Sequence, residues 1–379
     1  MIAEYPAWNI RKKIVGLFIA AMCMLNIAGC GNTAALEDDG EEIFIISERE
    51  SSASSKATLS ESTTPSASTG KVSNPDIGVW YPYWDYDTAT SEMEMIGNKL
   101  NTVCFFAAYF DSKNKPFIPE NTQSTYNELN KAKLLSGKTT YLTFVNDKLL
   151  DKGSSLKDTK LLYELIGDDS KASAHAKEII SLCKKLGCQG IEIDYEAIKK
   201  DKQLWGLFNS FVIILSEYAE AEKMLLRIVF EPSAPISDYS WPSYAEYVMM
   251  CYNLYGYGTT EGPKANIEWI KTLAEKMNAM SGTVNMAFAT GGFDFSSNGT
   301  VKQINYVDAM TLLQTGASQV TRDVASAAVY FTYTDESGIS HEVWYADQET
   351  LKTWISTASN CGIDRITIWR LGGNISKNP

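Results

Sequence analysis

The most chemically informative stretch of the chain is Gly190-Ile191-Glu192-Ile193-Asp194-Tyr195-Glu196. Side chains alternate between the faces of a β-strand, so Glu192, Asp194 and Glu196 share one face while Ile191, Ile193 and Tyr195 share the other. The segment lies in the middle of a chain in which strand-like and helical runs alternate, and strands in that setting are covered on both faces. Carboxylates spaced two residues apart on a covered face repel one another and lose hydration, so at least one is expected to have a raised pKa. A carboxylic acid that keeps its proton near neutral pH can protonate a leaving oxygen, which is what breaking a glycosidic bond requires.

The surrounding composition removes several other chemistries. A net charge of −12 over 379 residues leaves no basic footprint for nucleic acid. The histidines are two, His175 and His341, and no closely spaced Cys/His set accompanies them. That argues against a zinc site or a His-based triad, and neither a metal nor a cofactor is expected. Aromatic residues are densest near Trp80–Trp84 and Phe105–Phe110.

The elements that would carry the carboxylates can be read from periodicity. Strands are expected at Ile77–Tyr81, Thr102–Tyr109, Thr140–Val145, Gly190–Tyr195, Leu226–Phe230, Tyr247–Cys251, Val284–Ala289 and Ile363–Trp369. Amphipathic patterns at Ser170–Leu186, Leu204–Ala221 and Ala265–Met280 predict helices between them. Eight strand-like runs separated mostly by helices suit a single α/β domain, a (β/α)8 TIM barrel over residues 75–379. An open doubly wound sheet would call for a Gly-rich phosphate loop after its first strand, and none is present. The long seventh interval, about residues 296–350, reads as a small α+β insertion between strands seven and eight. It holds a hairpin around the turn Asp335-Glu336-Ser337-Gly338.

The N-terminal residues read as targeting sequence. Arg11, Lys12 and Lys13 precede the apolar run Ile14–Leu25, which is too short to span a bilayer well. The run closes on Ile27-Ala28-Gly29-Cys30, which resembles a bacterial lipobox with Cys30 as the lipidated residue. Residues 1–30 are then a lipoprotein signal, and residues 31–74, rich in Ser and Thr, a flexible spacer. The implied location is the outer face of the bacterial cytoplasmic membrane, on a lipid anchor. Cys104, Cys183, Cys188, Cys251 and Cys361 remain, an odd set without framework spacing that reads as free thiols.

Taken together, the motifs resemble glycoside hydrolase family 18, the chitinase-like barrels. That family carries Asp-Gly-x-Asp-x-Asp-x-Glu on its fourth strand, where this chain has Gln189-Gly190-Ile191-Glu192-Ile193-Asp194-Tyr195-Glu196. Met250-Cys251-Tyr252-Asn253 is similar to its Met-x-Tyr-Asp, and Ile368-Trp369-Arg370-Leu371-Gly372 to its eighth strand. Ser340–Asp347 is similar to the end of its insertion, Trp80–Trp84 to its first strand and Phe105–Phe110 to its second. The tone is closer to cell-wall and spore-type members than to secreted chitinases. Four places differ from the family pattern: Gln189, Glu192, Asn253, and Thr143-Phe144-Val145-Asn146 where chitinases have Ser-x-Gly-Gly.

The resemblance implies a monomeric retaining hydrolase of β-linked N-acetylglucosamine glycans, in which the sugar's own acetamido oxygen is the nucleophile. Glu196 matches the acid, Asp194 the residue that orients the acetamido group, and Tyr252 the hydroxyl that bonds it. Trp369 matches the floor of the sugar site, and Glu192, Asn253, Trp80 and Trp84 are expected to help bind substrate; Glu231, directly after strand five, either binds substrate or caps a helix. Lectin-like members keep the barrel and lose the acid, so a glycan-binding protein with little or no activity is the alternative. Retention of both Asp194 and Glu196 argues against it.

Overall fold

The computed structural model describes residues 75–374. The expected leader, the lipidation site Cys30 and the spacer up to residue 74 lie outside the described residues.

Eight parallel strands form the centre: β1 (Asp76–Pro82), β2 (Thr102–Phe110), β3 (Thr139–Leu149), β4 (Gly190–Asp194), β5 (Leu225–Phe230), β6 (Glu246–Met250), β7 (Thr283–Ala289) and β8 (Arg365–Trp369). Each pairs with its successor, and β8 returns to β1 with Val79 opposite Ile368, so the sheet closes. This is the expected (β/α)8 barrel. Closure leaves the barrel strands without a free edge.

Helices α1 (Tyr86–Ile96), α2 (Glu120–Lys131), α3 (Thr159–Ile166), α4 (Asp169–Leu186), α5 (Lys202–Ala221) and α6 (Ile267–Asn278) pack outside. The β5–β6 connection carries a single 3-10 turn, Ile236–Asp238. Helix α4 shows how sequence sets these elements. The Asp168 carboxylate caps its start by accepting from Lys171 N, and Gly187, at φ +98°, ends it in the left-handed region that glycine favours. Between them Ala172, Ala176, Ile179, Ile180, Cys183 and Leu186 form one buried face.

That face meets the outer side chains of the barrel. Ile191 and Ile193 on β4 are fully buried there, and burying each contributes about 1.5–3 kcal/mol of transfer free energy. The inward side chains of the strands are partly polar and charged. Glu192 on β4 accepts hydrogen bonds from Trp80 Nε1 at 2.6 Å and Thr143 Oγ1 at 2.7 Å, and pairs with Arg227 Nε at 2.9 Å. Arg227 also donates to Thr367 Oγ1 at 2.9 Å and lies 3.6 Å from Glu246 Oε1. A buried charged layer therefore ties β1, β3, β4, β5, β6 and β8 together across the barrel.

The insertion begins earlier than the expected residue 296. Strand Gly291–Ser296 pairs antiparallel with Val301–Ile304 on one side and Ser340–Ala346 on the other, followed by Val329–Thr334 and Thr321–Arg322. Helix α7 (Tyr306–Leu313) packs on this sheet, and α8 (Gln348–Asn360) leads back to β8. The start is displaced because the apolar run of β7 continues through Phe293 and Phe295, so the boundary is marked by glycine alone. Gly291 turns at φ +59°, and a Cβ on Gly292 would lie 1.7 Å from Trp344 O. Of the five expected free thiols, four are buried and Cys361 is partly exposed.

Candidate active site

A cavity of about 760 Å³ opens at the C-terminal ends of the barrel strands, the end at which TIM-barrel enzymes place their chemistry. Asp194, the last residue of β4, and Glu196, two residues further on, both line it. Tyr252 and Asn253 reach it from the end of β6, Glu231 from the end of β5 and Trp369 from the end of β8. Asn253 adopts φ +60°, a conformation asparagine tolerates better than most residues.

The aromatic wall is built from β2, the end of β8 and the 3-10 turn that follows β1. Trp369 lies 4.8 Å from Phe106, and Phe106 lies 5.8 Å from Trp84, each pair edge-to-face. All three line the cavity. Trp80 does not. It is buried, packs its edge against Trp369 at 5.7 Å, and donates to Glu192. Glu192 is likewise absent from the cavity wall: a fully buried carboxylate with three close partners has nothing left for a ligand. Both residues brace the site from beneath. The reading of Glu192 and Trp80 as substrate contacts is corrected accordingly.

The carboxylates around Glu196 are unequal. Asp194 has only 7% of its surface exposed, and its Oδ1 is buried without a hydrogen-bond partner. Burial, then the charges of Glu196 and Glu192, hold its pKa well above the usual aspartate range. The expected repulsion therefore falls on Asp194. Glu196 is less enclosed, and its Oε2 lies 2.8 Å from Lys157 Nζ. Lys157 loses solvation by burial, yet the charges of Glu196, Asp194 and Glu231 outweigh that and raise its pKa. Asp147 also lines the cavity and is pushed up to about 6, chiefly by desolvation. Its Oδ1 accepts from Lys157 N at 2.6 Å.

Glu231 is committed to the turn that follows Glu196. Its Oε2 accepts from Ala197 N at 3.1 Å and its Oε1 pairs with Lys199 at 2.8 Å. Ala197 sits at φ +63°, which a non-glycine residue adopts at a cost. The sequence reading missed Asn146 as a site residue, together with Asp147, Lys157, Lys199 and Phe106. Asn146 was visible there only as a difference on strand three. Lys157 reaches Glu196 from a loop with no motif of its own.

The arrangement places the Glu196 carboxyl in a cavity that is also walled by Trp369, Phe106 and Trp84. The family model for glycosyl hydrolases family 18 matches residues 79–374, most of the described chain. The chain belongs to glycosyl hydrolases family 18.

Its relatives include the uncharacterized glycosylase YvbX of Bacillus subtilis (strain 168), 24% identical over 57% of this chain and 66% of its own. A cortical fragment-lytic enzyme of Bacillus cereus is 23% identical over 51% of this chain and 49% of its own. The chain thus spans between about half and two thirds of these relatives' lengths. Among solved structures, the spore cortex-lytic enzyme SleL of Bacillus cereus superposes with a TM-score of 0.65 at 17% identity, covering 79% of this chain and 72% of that one. A chitinase from Chromobacterium violaceum ATCC 12472 reaches 0.68 at 15% identity, covering 80% and 96%. At these identities the structural likeness speaks for the barrel alone.

Proposed function

We propose that this family 18 protein hydrolyses β-linked N-acetylglucosamine glycans of the bacterial cell-wall type by a substrate-assisted retaining mechanism. Glu196 protonates the glycosidic oxygen. The 2-acetamido oxygen of the cleaved sugar attacks its own anomeric carbon, giving an oxazolinium ion that water then opens. Asp194 accepts the acetamido N–H. A carboxyl whose ionisation is opposed by burial and by two neighbouring carboxylates gains most when positive charge develops beside it. Tyr252 bonds the acetamido oxygen, and Trp369 stacks beneath the sugar ring.

The observation that carries the substrate-assisted route is the occupancy of the other carboxylates in the cavity. Glu231 is held by Ala197 N and Lys199, and Asp147 by Lys157 N. Among the described carboxylates that line the cavity, Asp194 keeps a buried oxygen without a hydrogen-bond partner and is assigned to the acetamido group, so this reading takes the nucleophile from the sugar. Matched substrates with an N-acetyl or a hydroxyl group at C2 of the cleaved sugar test this directly. The N-acetyl compounds are expected to turn over and the plain glucosides to remain intact; efficient glucoside hydrolysis sinks the mechanism. Support for the cell-wall class comes from the cortical fragment-lytic enzymes among the relatives. Mass analysis of digests should show faster release from peptidoglycan fragments than from chitin oligomers.

We further propose that Cys30 anchors the protein to the outer face of the cytoplasmic membrane, with residues 31–74 as the tether. Cys30→Ala is expected to remove the protein from the membrane fraction. An N-terminal peptide of the native protein without an acyl group would refute the anchor.

A further inference from the structure

The parallel ladder between β3 and β4 stops at Val145 opposite Asp194. Glu196 lies beyond its end, where a backbone would ordinarily be free to wander. There the side chain of Asn146 takes over. Its Oδ1 accepts from Glu196 N at 2.9 Å, and its Nδ2 donates to Glu196 O at 3.1 Å. A carboxamide carries the same donor and acceptor as a peptide unit, so one side chain replaces the missing rung of the ladder on both sides of the acid's Cα. Asn146 is 1% exposed, which excludes water from competing and fixes its rotamer.

The same residue anchors what faces the carboxyl. Asn146 O accepts from Asp158 N at 2.8 Å, and Asp147 Oδ1 accepts from Lys157 N. Lys157 Nζ then meets Glu196 Oε2. The Asn146-Asp147 pair therefore holds both the backbone of the acid and the loop that carries its counter-ion. Asp158, next along, caps α3 by accepting from Leu161 N, so the loop is pinned at both ends.

We infer that Asn146 is a positioning residue for hydrolysis, which sets the backbone of Glu196 relative to the bound glycosidic oxygen. The inference rests on Glu196 being the acid. A donor displaced by about 1 Å can cost on the order of 10²-fold in rate, and neither a glycine nor a serine at this position could bridge both backbone groups. Chain geometry around Glu196 is thus set by the side chain of Asn146, whose amide is spent on the backbone of the acid.

A double-mutant cycle tests this. Asn146→Ala is expected to lower kcat by about 10–10²-fold, with KM changed by less than about threefold, because positioning acts on the transition state. In a Glu196→Gln background, where there is no proton to aim, adding Asn146→Ala should leave the residual rate within about threefold. Asn146→Asp has the same shape and keeps the acceptor for Glu196 N. Measured at its own pH optimum it should fall between wild type and Asn146→Ala, and it decides the matter should the alanine variant not fold. The same loss in both backgrounds, or a loss carried in KM, overturns the inference and makes Asn146 a structural residue. A Glu196→Gln enzyme with wild-type activity would instead remove the acid assignment beneath it.

Discussion

Glu196→Gln is expected to lower hydrolysis of an N-acetylglucosamine glycan by about 10²–10⁴-fold, the range lost when a general acid is removed. Each factor of ten corresponds to about 1.4 kcal/mol of transition-state stabilisation. The amide matches the carboxyl in size and can still bond to Lys157, Asn146 still grips the backbone, and the side chain is partly exposed. The fold should therefore persist, with an unchanged thermal midpoint. Near-wild-type turnover by a properly folded variant would require another proton donor in the cavity, and Asp194 would be the one to examine.

Arg227→Met is expected to be the most destabilising single change in the barrel. Arg227 is 1% exposed and pairs with Glu192 at 2.9 Å and Glu246 at 3.6 Å. Removing the cation leaves both acids buried, and Glu192 has no route to solvent. Breaking a buried pair by taking away one partner costs about 3–5 kcal/mol, against a total stability of roughly 5–15 kcal/mol for a typical domain. Urea denaturation should report the loss as a lower midpoint. Adding Glu192→Gln should recover part of it, because the amide still accepts from Trp80 and Thr143 without carrying a charge. A loss below about 1 kcal/mol for the single variant would mean the pair is not the strut that its geometry describes.

The barrel was legible because its strands are buried on both faces, and each reads as a short apolar or β-branched run. Asp194, Glu196, Tyr252 and Trp369 were legible because each stands in a motif at a strand end, and all four line one cavity. Glu192 was misplaced for a physical reason. Alternation puts it on the same face as Asp194 and Glu196, but it cannot say how deep along the barrel axis each residue sits. Depth separates the three: Glu192 lies in the charged layer, Asp194 at the rim, and Glu196 beyond the ladder. Lys157 was beyond reach because its contact with Glu196 crosses 39 positions from a loop with no periodicity. Asn146 was in view as a departure from pattern, but its use depends on where the β3–β4 ladder stops, which no local pattern records.

The insertion leaves and re-enters the barrel at a single point, because Gly291 lies directly opposite Ala346 in its sheet. Its two ends are rungs of the same ladder, a few ångströms apart, so it behaves as a cassette. Recombination could lengthen, trim or replace everything beyond that rung without rethreading β7 or β8. The portion so exchanged includes Phe293 and Gln303 on the cavity wall, while Glu196 and its supports stay on the far strands. An exchange at that rung would reshape one side of the cavity and leave Glu196 in place.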